Sequence, residues 1–215
     1  MVMTPMLILM AKRPSPGQTK TRLCPPLTPE QAARLYAGML RDSIALIQQV
    51  PAVQPAIAVS PDDAEGYFAD LAPDLRLLRQ GSGDLAQRLA YVTATAFAYG
   101  APAVAVMSSD TPMLPLAYLQ QAFAALTTHE LVLGPCDDGG YYLAALRRPA
   151  PSIFTSVTMS TPHVLRDTMA EAQRLGLSVS LLPSCYDIDT PADLARLAAD
   201  PVPLLHTRAA LRSDA

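Results

Sequence analysis

Two chemically opposite groups of residues stand out in this 215-residue chain. The first is the stretch Lys12-Arg13-Pro14-Ser15-Pro16-Gly17-Gln18-Thr19-Lys20-Thr21-Arg22-Leu23, where four cations fall within eleven residues, the densest positive charge in the sequence. A Pro- and Gly-rich loop of this kind, directly after a buried strand, can surround an anion with Lys12, Lys20 and Arg22. A solvated basic loop has the same composition. It is not a Walker loop, because Gly17-Gln18-Thr19-Lys20-Thr21 lacks the adjacent Gly-Lys pair that cradles phosphate.

The second group is acidic and sits where apolar runs end. Asp110 closes Val104-Ala105-Val106-Met107-Ser108-Ser109, Asp137-Asp138 follow Leu131-Val132-Leu133-Gly134-Pro135-Cys136, and Asp187 and Asp189 flank Ile188. Asp187 and Asp189 share a face if that segment is extended, so two carboxylates can meet one divalent cation. Cations beside oxygen ligands for a hard metal suit a polyphosphate substrate carrying Mg²⁺. Each acid also has a plainer reading. Asp110-Thr111-Pro112 is good turn chemistry, and Asp137-Asp138 beside Gly139-Gly140 marks a hairpin turn.

Competing chemistries find little support. There is no G-x-S-x-G, and His129, His163 and His206 are scattered without partners. No G-x-G-x-x-G follows the first apolar run, and Gly81-Ser82-Gly83-Asp84 is a weak signal by itself. Cys24, Cys136 and Cys185 have neither C-x-x-C spacing nor an even count, so neither a disulfide framework nor a zinc knuckle is indicated.

The elements that must position these residues read as alternating strands and helices. Leu7–Ala11, Ala56–Val59, Leu75–Leu78, Val104–Ser108, Leu131–Pro135 and Val179–Leu182 are short apolar runs bounded by Gly and Pro, as expected of buried parallel strands. Ligands in such sheets bind at the carboxyl ends of the strands, which is where Asp110 stands. Thr28-Pro29-Glu30-Gln31 opens a helix by a capping box. Leu35, Tyr36, Met39, Leu40, Ile44 and Ile47 then form its packing stripe. Further helices follow Pro61, Asp84 and Leu116. Ser160-Thr161-Pro162 is expected to cap another, and Thr190 with Asp193 the last. One domain over residues 1–200 is expected, with 201–215 a C-terminal tail that frays from Arg208.

Half of the residues are hydrophobic and 16% are charged, which excludes a disordered chain. A net charge of −3 and a pI near 5.5 give no reason to bind nucleic acid or an anionic membrane. Lys12-Arg13 cut the apolar opening short of a signal peptide, and no run approaches the roughly 20 residues of a spanning helix. A soluble, cytoplasmic protein is expected.

The strings LILMAKRPSPGQTKTRL, GSGDLAQRL, SSDTP, GPCDDGGYYLAAL, STPHVL and DIDTPADL, in that order from about Leu7 to Leu197, resemble the DUF2064 family of the GT-A-like nucleotide-diphospho-sugar transferase superfamily. The layout is similar to the guanylyltransferases that activate 2-phospholactate or phosphoenolpyruvate, and more distantly to molybdenum-cofactor nucleotidyltransferases. The resemblance implies a single-domain, Rossmann-type three-layer α/β sandwich with a mostly parallel central sheet. It implies that Lys12, Lys20 and Arg22, on the loop that holds Gly17, bind donor phosphates and act with Asp110 in catalysis. Gly81, Ser82, Gly83 and Asp84, with Arg88, would sit near the nucleotide or the acceptor. Asp110 matches the metal-binding acid of the family's G-S-D-x-P, and Ser109 beside it lets phosphate approach. Asp138, Gly139 and Gly140, with Ser160 and Thr161, would line the acceptor side.

Asp187 or Asp189 would supply a further ligand for Mg²⁺ or Mn²⁺. Three positions depart from the family pattern: Ser108 replaces Gly, Cys136-Asp137 replaces Ala-Glu, and Met159 replaces Trp. The last two fall on the acceptor side. The activity implied is transfer of a nucleoside monophosphate from a nucleoside triphosphate to a small phosphorylated or phosphonate acceptor. Glycosyl transfer from a nucleotide sugar is the alternative, but Ser108-Ser109-Asp110 lacks the first acid of the D-x-D such enzymes use. No nucleic acid or membrane partner is implied, and a homodimer is compatible with the resemblance.

Overall fold

Residues 3–212 are described by a computed structural model. Seven strands form one sheet: β1 (Met6–Lys12), β2 (Gln54–Ser60), β3 (Arg76–Arg79), β4 (Val104–Ser108), β5 (Leu131–Pro135), β6 (Tyr141–Leu146) and β7 (Val179–Leu181), in the order β3-β2-β1-β4-β6-β5-β7. All pairings are parallel except those of β6, which runs antiparallel to both β4 and β5. The parallel core follows from the apolar runs, because strands buried on both faces need no polar alternation.

Successive residues of a strand face opposite sides, and the core divides accordingly. Leu7, Leu9, Ile57, Val59, Ala105 and Met107 pack on the face covered by α1 (Pro29–Ile47), α2 (Glu65–Leu71) and α4 (Leu116–Ala125). Met6, Ile8, Ala56, Ala58, Val104 and Val106 pack on the opposite face, under α3 (Leu85–Ala98), α5 (Ser152–Thr155) and α6 (Val164–Arg174). The result is a three-layer α/β sandwich. α7 (Pro191–Ala199) and α8 (Leu205–Arg212) complete the chain.

Local signals set several boundaries. Thr28 Oγ1 accepts from Gln31 N at 3.2 Å while Gln31 Oε1 accepts from Thr28 N at 2.7 Å, the reciprocal box that starts α1. Asp84 and Gln87 repeat the arrangement at α3.

Three expectations are corrected. Tyr141–Leu146, assigned no strand from sequence, returns from the β5 turn as β6 and inserts between β4 and β5, so the two acid-ended strands are not neighbours. Ser160-Thr161-Pro162 does not cap α6: the cap position is His163, without a side-chain bond, and Thr161 Oγ1 instead donates to Thr158 O at 3.2 Å. The expected tail is in part a docked helix. Asp42 on α1 accepts from His206 N and from both the backbone and the hydroxyl of Thr207, at 2.7–3.1 Å, and Thr207 is fully buried. Gly38 permits this approach, since a Cβ there would lie 2.6 Å from His206 O. The tail positions 213–215 lie outside the described residues.

Candidate active site

The carboxyl ends of β1 and β4 open into a cleft of about 780 Å³. The basic loop after β1 forms one wall, and the β5–β6 turn with the segment before α6 forms the other. A third stretch is carried across by backbone pairing. Cys185 N donates to Pro135 O and Asp137 N to Cys185 O, both at 3.0 Å, and Ile188 N then donates to Asp110 O at 2.9 Å. Residues 185–189 thus run from the end of β5 to the end of β4, and both Asp187 and Asp189 line the cleft.

Lys20 occupies the centre. Its backbone is left-handed, with φ 51°, and its side chain is 4% exposed. Nζ lies 2.6 Å from Asp110 Oδ1 and 2.7 Å from Asp189 Oδ1. Burial alone would lower the lysine pKa, but the two carboxylates outweigh it and leave it raised, so Lys20 stays a cation. Arg22, largely exposed, reaches Asp189 Oδ2 at 3.5 Å, and Lys12 Nζ donates to Gln18 O at 3.0 Å.

Asp187 is placed differently. Its polar contact is the Cys136 thiol, which donates to Oδ1 at 3.3 Å. Burial first, then the charge of Asp110, pushes its carboxyl up to about 7. Ligand atoms of Cys136, Asp138 and Asp187 lie within 4.8 Å of one another. Ser108, the residue in place of Gly, acts locally, since its Oγ accepts from Asp110 N at 3.0 Å.

On the far wall Asp138 Oδ1 accepts from Gly140 N at 2.9 Å, closing the turn. Gly139 has φ 89°, and a Cβ there would lie 2.1 Å from Pro162 O. Only glycine lets the turn pack this closely, and its own carbonyl accepts from Leu165 N at 2.9 Å, tying the turn to α6. Ser160 has φ 60°, a conformation uncommon outside glycine.

Comparison with known proteins bears on the family and the fold that carry this cleft. The DUF2064 family, described as an uncharacterized protein conserved in bacteria, matches residues 43–161. The chain belongs to this family. It is similar to the phosphoenolpyruvate guanylyltransferase of Sphaerobacter thermophilus, 28% identical over 181 residues that cover 83% of this chain and 86% of the relative. It is also similar to the 2-phospho-L-lactate guanylyltransferase of Methanothermobacter thermautotrophicus, 30% identical over 187 residues that cover 83% and 78%. Among solved structures, a nucleotide-diphospho-sugar transferase from Desulfovibrio desulfuricans G20 superposes with a TM-score of 0.90 at 28% identity, covering 99% of this chain and 96% of that one. This member of DUF2064 is an enzyme, a transferase on the GT-A-like three-layer fold. Among the described residues no helix is long and apolar enough to cross a membrane.

Of the residues singled out from this family member's sequence, the cleft gathers Lys12, Lys20, Arg22, Ser109, Asp110, Asp138, Gly140, Ser160, Thr161, Asp187 and Asp189. Gly17, Gly81, Ser82, Gly83, Asp84, Arg88 and Gly139 stand outside its lining. Asp84 caps α3, and Arg88 Nε donates to Gly83 O at 2.9 Å, so these two side chains bind their own helix start. Asp137 turns away to Arg196 on α7, at 2.6 Å.

Two further cleft residues carried no distinguishing signal in the sequence. Tyr36, one more apolar position of the α1 stripe, accepts from Lys12 N at 3.1 Å and shares a hydrogen bond of 2.8 Å with Ser109 Oγ. Burial foremost pushes its phenol up to about 12, so it stays protonated. Gln80 donates to Ala11 O at 3.1 Å and Ala58 O at 2.8 Å, joining β1 to β2 at the rim.

Proposed function

We propose that the protein transfers a nucleoside monophosphate from a nucleoside triphosphate to a small phosphorylated or phosphonate acceptor. The observation that carries the reading is Lys20, buried and fixed between Asp110 and Asp189 at the centre of a cleft that Lys12 and Arg22 also line. A cation pinned in this way is preorganised to meet charge on a phosphoryl group without reorganising during reaction. Lys12 and Arg22, exposed at the same wall, bind the flanking phosphates. The names of the two guanylyltransferase relatives support this class of reaction.

An oxygen of the acceptor's phosphate or phosphonate attacks the α-phosphorus. The bond from that phosphorus to the bridging oxygen of the pyrophosphate breaks, and pyrophosphate leaves with the electron pair. The acceptor is already anionic near neutral pH, so no general base is required. Catalysis rests on positioning and charge stabilisation.

The donor set fits a hard divalent cation. Asp187 is a part-buried carboxylate near Asp110 and Asp138 whose hydrogen-bond donor among the described residues is the Cys136 thiol; Asp189 has both oxygens engaged, by Lys20 and Arg22, whereas Asp110 meets Lys20 through Oδ1 alone. This favours Asp110 and Asp187 as the residues that would hold Mg²⁺ or Mn²⁺, with Asp189 anchoring Lys20. When bound, such an ion supplies Lewis-acid neutralisation of phosphate charge.

Glycosyl transfer is the second reading, favoured by the close superposition on a nucleotide-diphospho-sugar transferase. One experiment separates the two. The protein is incubated with Mg²⁺, the four nucleoside triphosphates and a panel of phosphorylated acceptors, then with nucleotide sugars, and products are followed by phosphorus NMR. Pyrophosphate with a new phosphoanhydride signal is expected. Nucleoside diphosphate from a nucleotide sugar, with no pyrophosphate from any triphosphate, overturns the proposal.

A further inference from the structure

The cleft is chemically lopsided. Among the described residues that line it, all cations stand on the β1 side, as Lys12, Lys20 and Arg22. Beyond β4, the β5–β6 turn, the start of β6 and the stretch from Met159 into α6 present one carboxylate, Asp138, among hydroxyl and apolar side chains that include Ser160, Thr161, Met159 and Val164. The sheet order explains the separation, since β4 lies between β1 and the β6–β5 pair.

A nucleoside triphosphate is the more highly charged of the two substrates and takes the cationic wall. The acceptor is left with the other. Both guanylyltransferase relatives are named for acceptors that carry a carboxylate beside the phosphate. Here such a carboxylate would face Asp138 on a wall whose own side chains, among the described residues, include no cation. Like charges set against each other discriminate strongly against a ligand. Asp138 cannot easily withdraw, because Oδ1 accepts from Gly140 N and the turn is tied to α6 through Gly139. Its second oxygen has no hydrogen bond among the described residues and is free to meet a donor.

Resting on the nucleotidyl-transfer reading, we infer that the acceptor is a phosphate monoester or phosphonate without a carboxylate, whose tail offers a hydroxyl or ammonium donor to Asp138. Recognition then uses the same device as the discrimination: the carboxylate that repels an acid attracts a donor.

The test measures pyrophosphate release with Mg²⁺ and all four triphosphates. O-phosphoethanolamine, 2-aminoethylphosphonate and glycerol 3-phosphate are compared with phosphoenolpyruvate and 2-phospholactate. The carboxylate-free set should be preferred by about tenfold or more in kcat/KM. Asp138→Asn keeps an oxygen to accept from Gly140 N, so the turn stands while the charge goes. That preference should then shrink by about tenfold, with the Mg²⁺ half-saturation unchanged. Thr161→Lys, which adds a cation to the same wall, should move the preference toward phosphoenolpyruvate.

A wild-type preference for carboxylated acceptors overturns the inference and leaves nucleotidyl transfer standing. So does an unchanged preference in Asp138→Asn, or a loss of Mg²⁺ activation there in its place. Pyrophosphate from no pairing overturns the nucleotidyl reading and this inference with it.

Discussion

Lys20 Nζ lies 2.6 Å from the Asp110 carboxylate, although β2, β3 and β4 all intervene between the two residues in the chain. The contact joins the loop after β1 to the end of β4 and places a buried cation beside the acid that ends the central strand. On the nucleotidyl-transfer proposal, removing either partner disables the cleft. Pyrophosphate release should fall on the order of 10²–10³-fold in Lys20→Ala and in Asp110→Ala, the loss expected for one preorganised charge contact. Combining the two should lose less than the product of the single effects, because both act through one contact. Rates within about threefold of wild type in folded single variants would remove the pair from the mechanism.

Tyr36 supports that loop from beneath. Tyr36→Phe removes the acceptor for Lys12 N and the partner of Ser109 Oγ, leaving a part-buried N–H unsatisfied. A loss of about 1–2 kcal/mol in urea-denaturation stability is expected. The KM for the triphosphate should rise more than kcat falls, since the loop proposed to bind phosphate is loosened while Asp110 keeps its place. A variant as stable as wild type would show that the hydroxyl has no supporting role.

Asp187 gives the metal-free protein a pH signature. Its carboxyl is pushed up to about 7, chiefly by burial, against an ordinary value of 3.8. Between these values the folded chain holds a proton that the unfolded chain releases, so stability falls as pH rises from about 4 to about 7. In chelator, thermal melts across this window should show the decline, and Asp187→Asn should flatten it. Adding Mg²⁺ should restore stability most at the alkaline end, where the carboxylate is charged. Parallel wild-type and Asp187→Asn profiles would contradict the assignment.

Gly139 tests the packing of the far wall. Gly139→Ala puts a Cβ against Pro162 O in a left-handed conformation, so the turn must move away from α6. Destabilisation of about 1–3 kcal/mol is expected, with a rise in acceptor KM that exceeds any change in triphosphate KM. Equal effects on both KM values would mean that the turn does not address the acceptor in particular.

The α1–α8 contact should be structural alone. Asp42→Ala leaves the start of α8 without its acceptor and should lower stability by about 1 kcal/mol. Chemical denaturation reads this directly. Turnover of the folded variant should match wild type, because Asp42 and Thr207 do not line the cleft. A reduced kcat would tie α8 to the active site.

Much of the fold was legible because its signals are local. The apolar runs at β1, β2, β4 and β5, the capping boxes at Thr28 and Thr190, and the stripe of α1 depend on near neighbours in sequence, and each appears in the structure. The candidate site was legible in outline for a related reason: parallel strands deliver their carboxyl ends to one edge, so Lys20 and Asp110 had to approach each other.

The remainder depended on contacts between distant segments. Tyr141–Leu146 is an apolar run whose place between β4 and β5 is decided by its pairing with both, and no pattern inside the run reports that. Asp187 and Asp189 stand two residues apart with like chemistry. The crossing of residues 185–189 over the sheet edge gives Asp189 to Lys20 and turns Asp187 to Cys136. Tyr36 reads as one more packing residue until β1 and β4 bring Lys12 N and Ser109 to its hydroxyl. By itself the sequence determined which cations and carboxylates stand after the strands and which edge of the sheet would carry them. Tertiary structure alone decided that Asp110 and Asp189 meet the Lys20 cation while Asp187 meets a thiol, because that depends on distances and burial set by segments far apart in the chain.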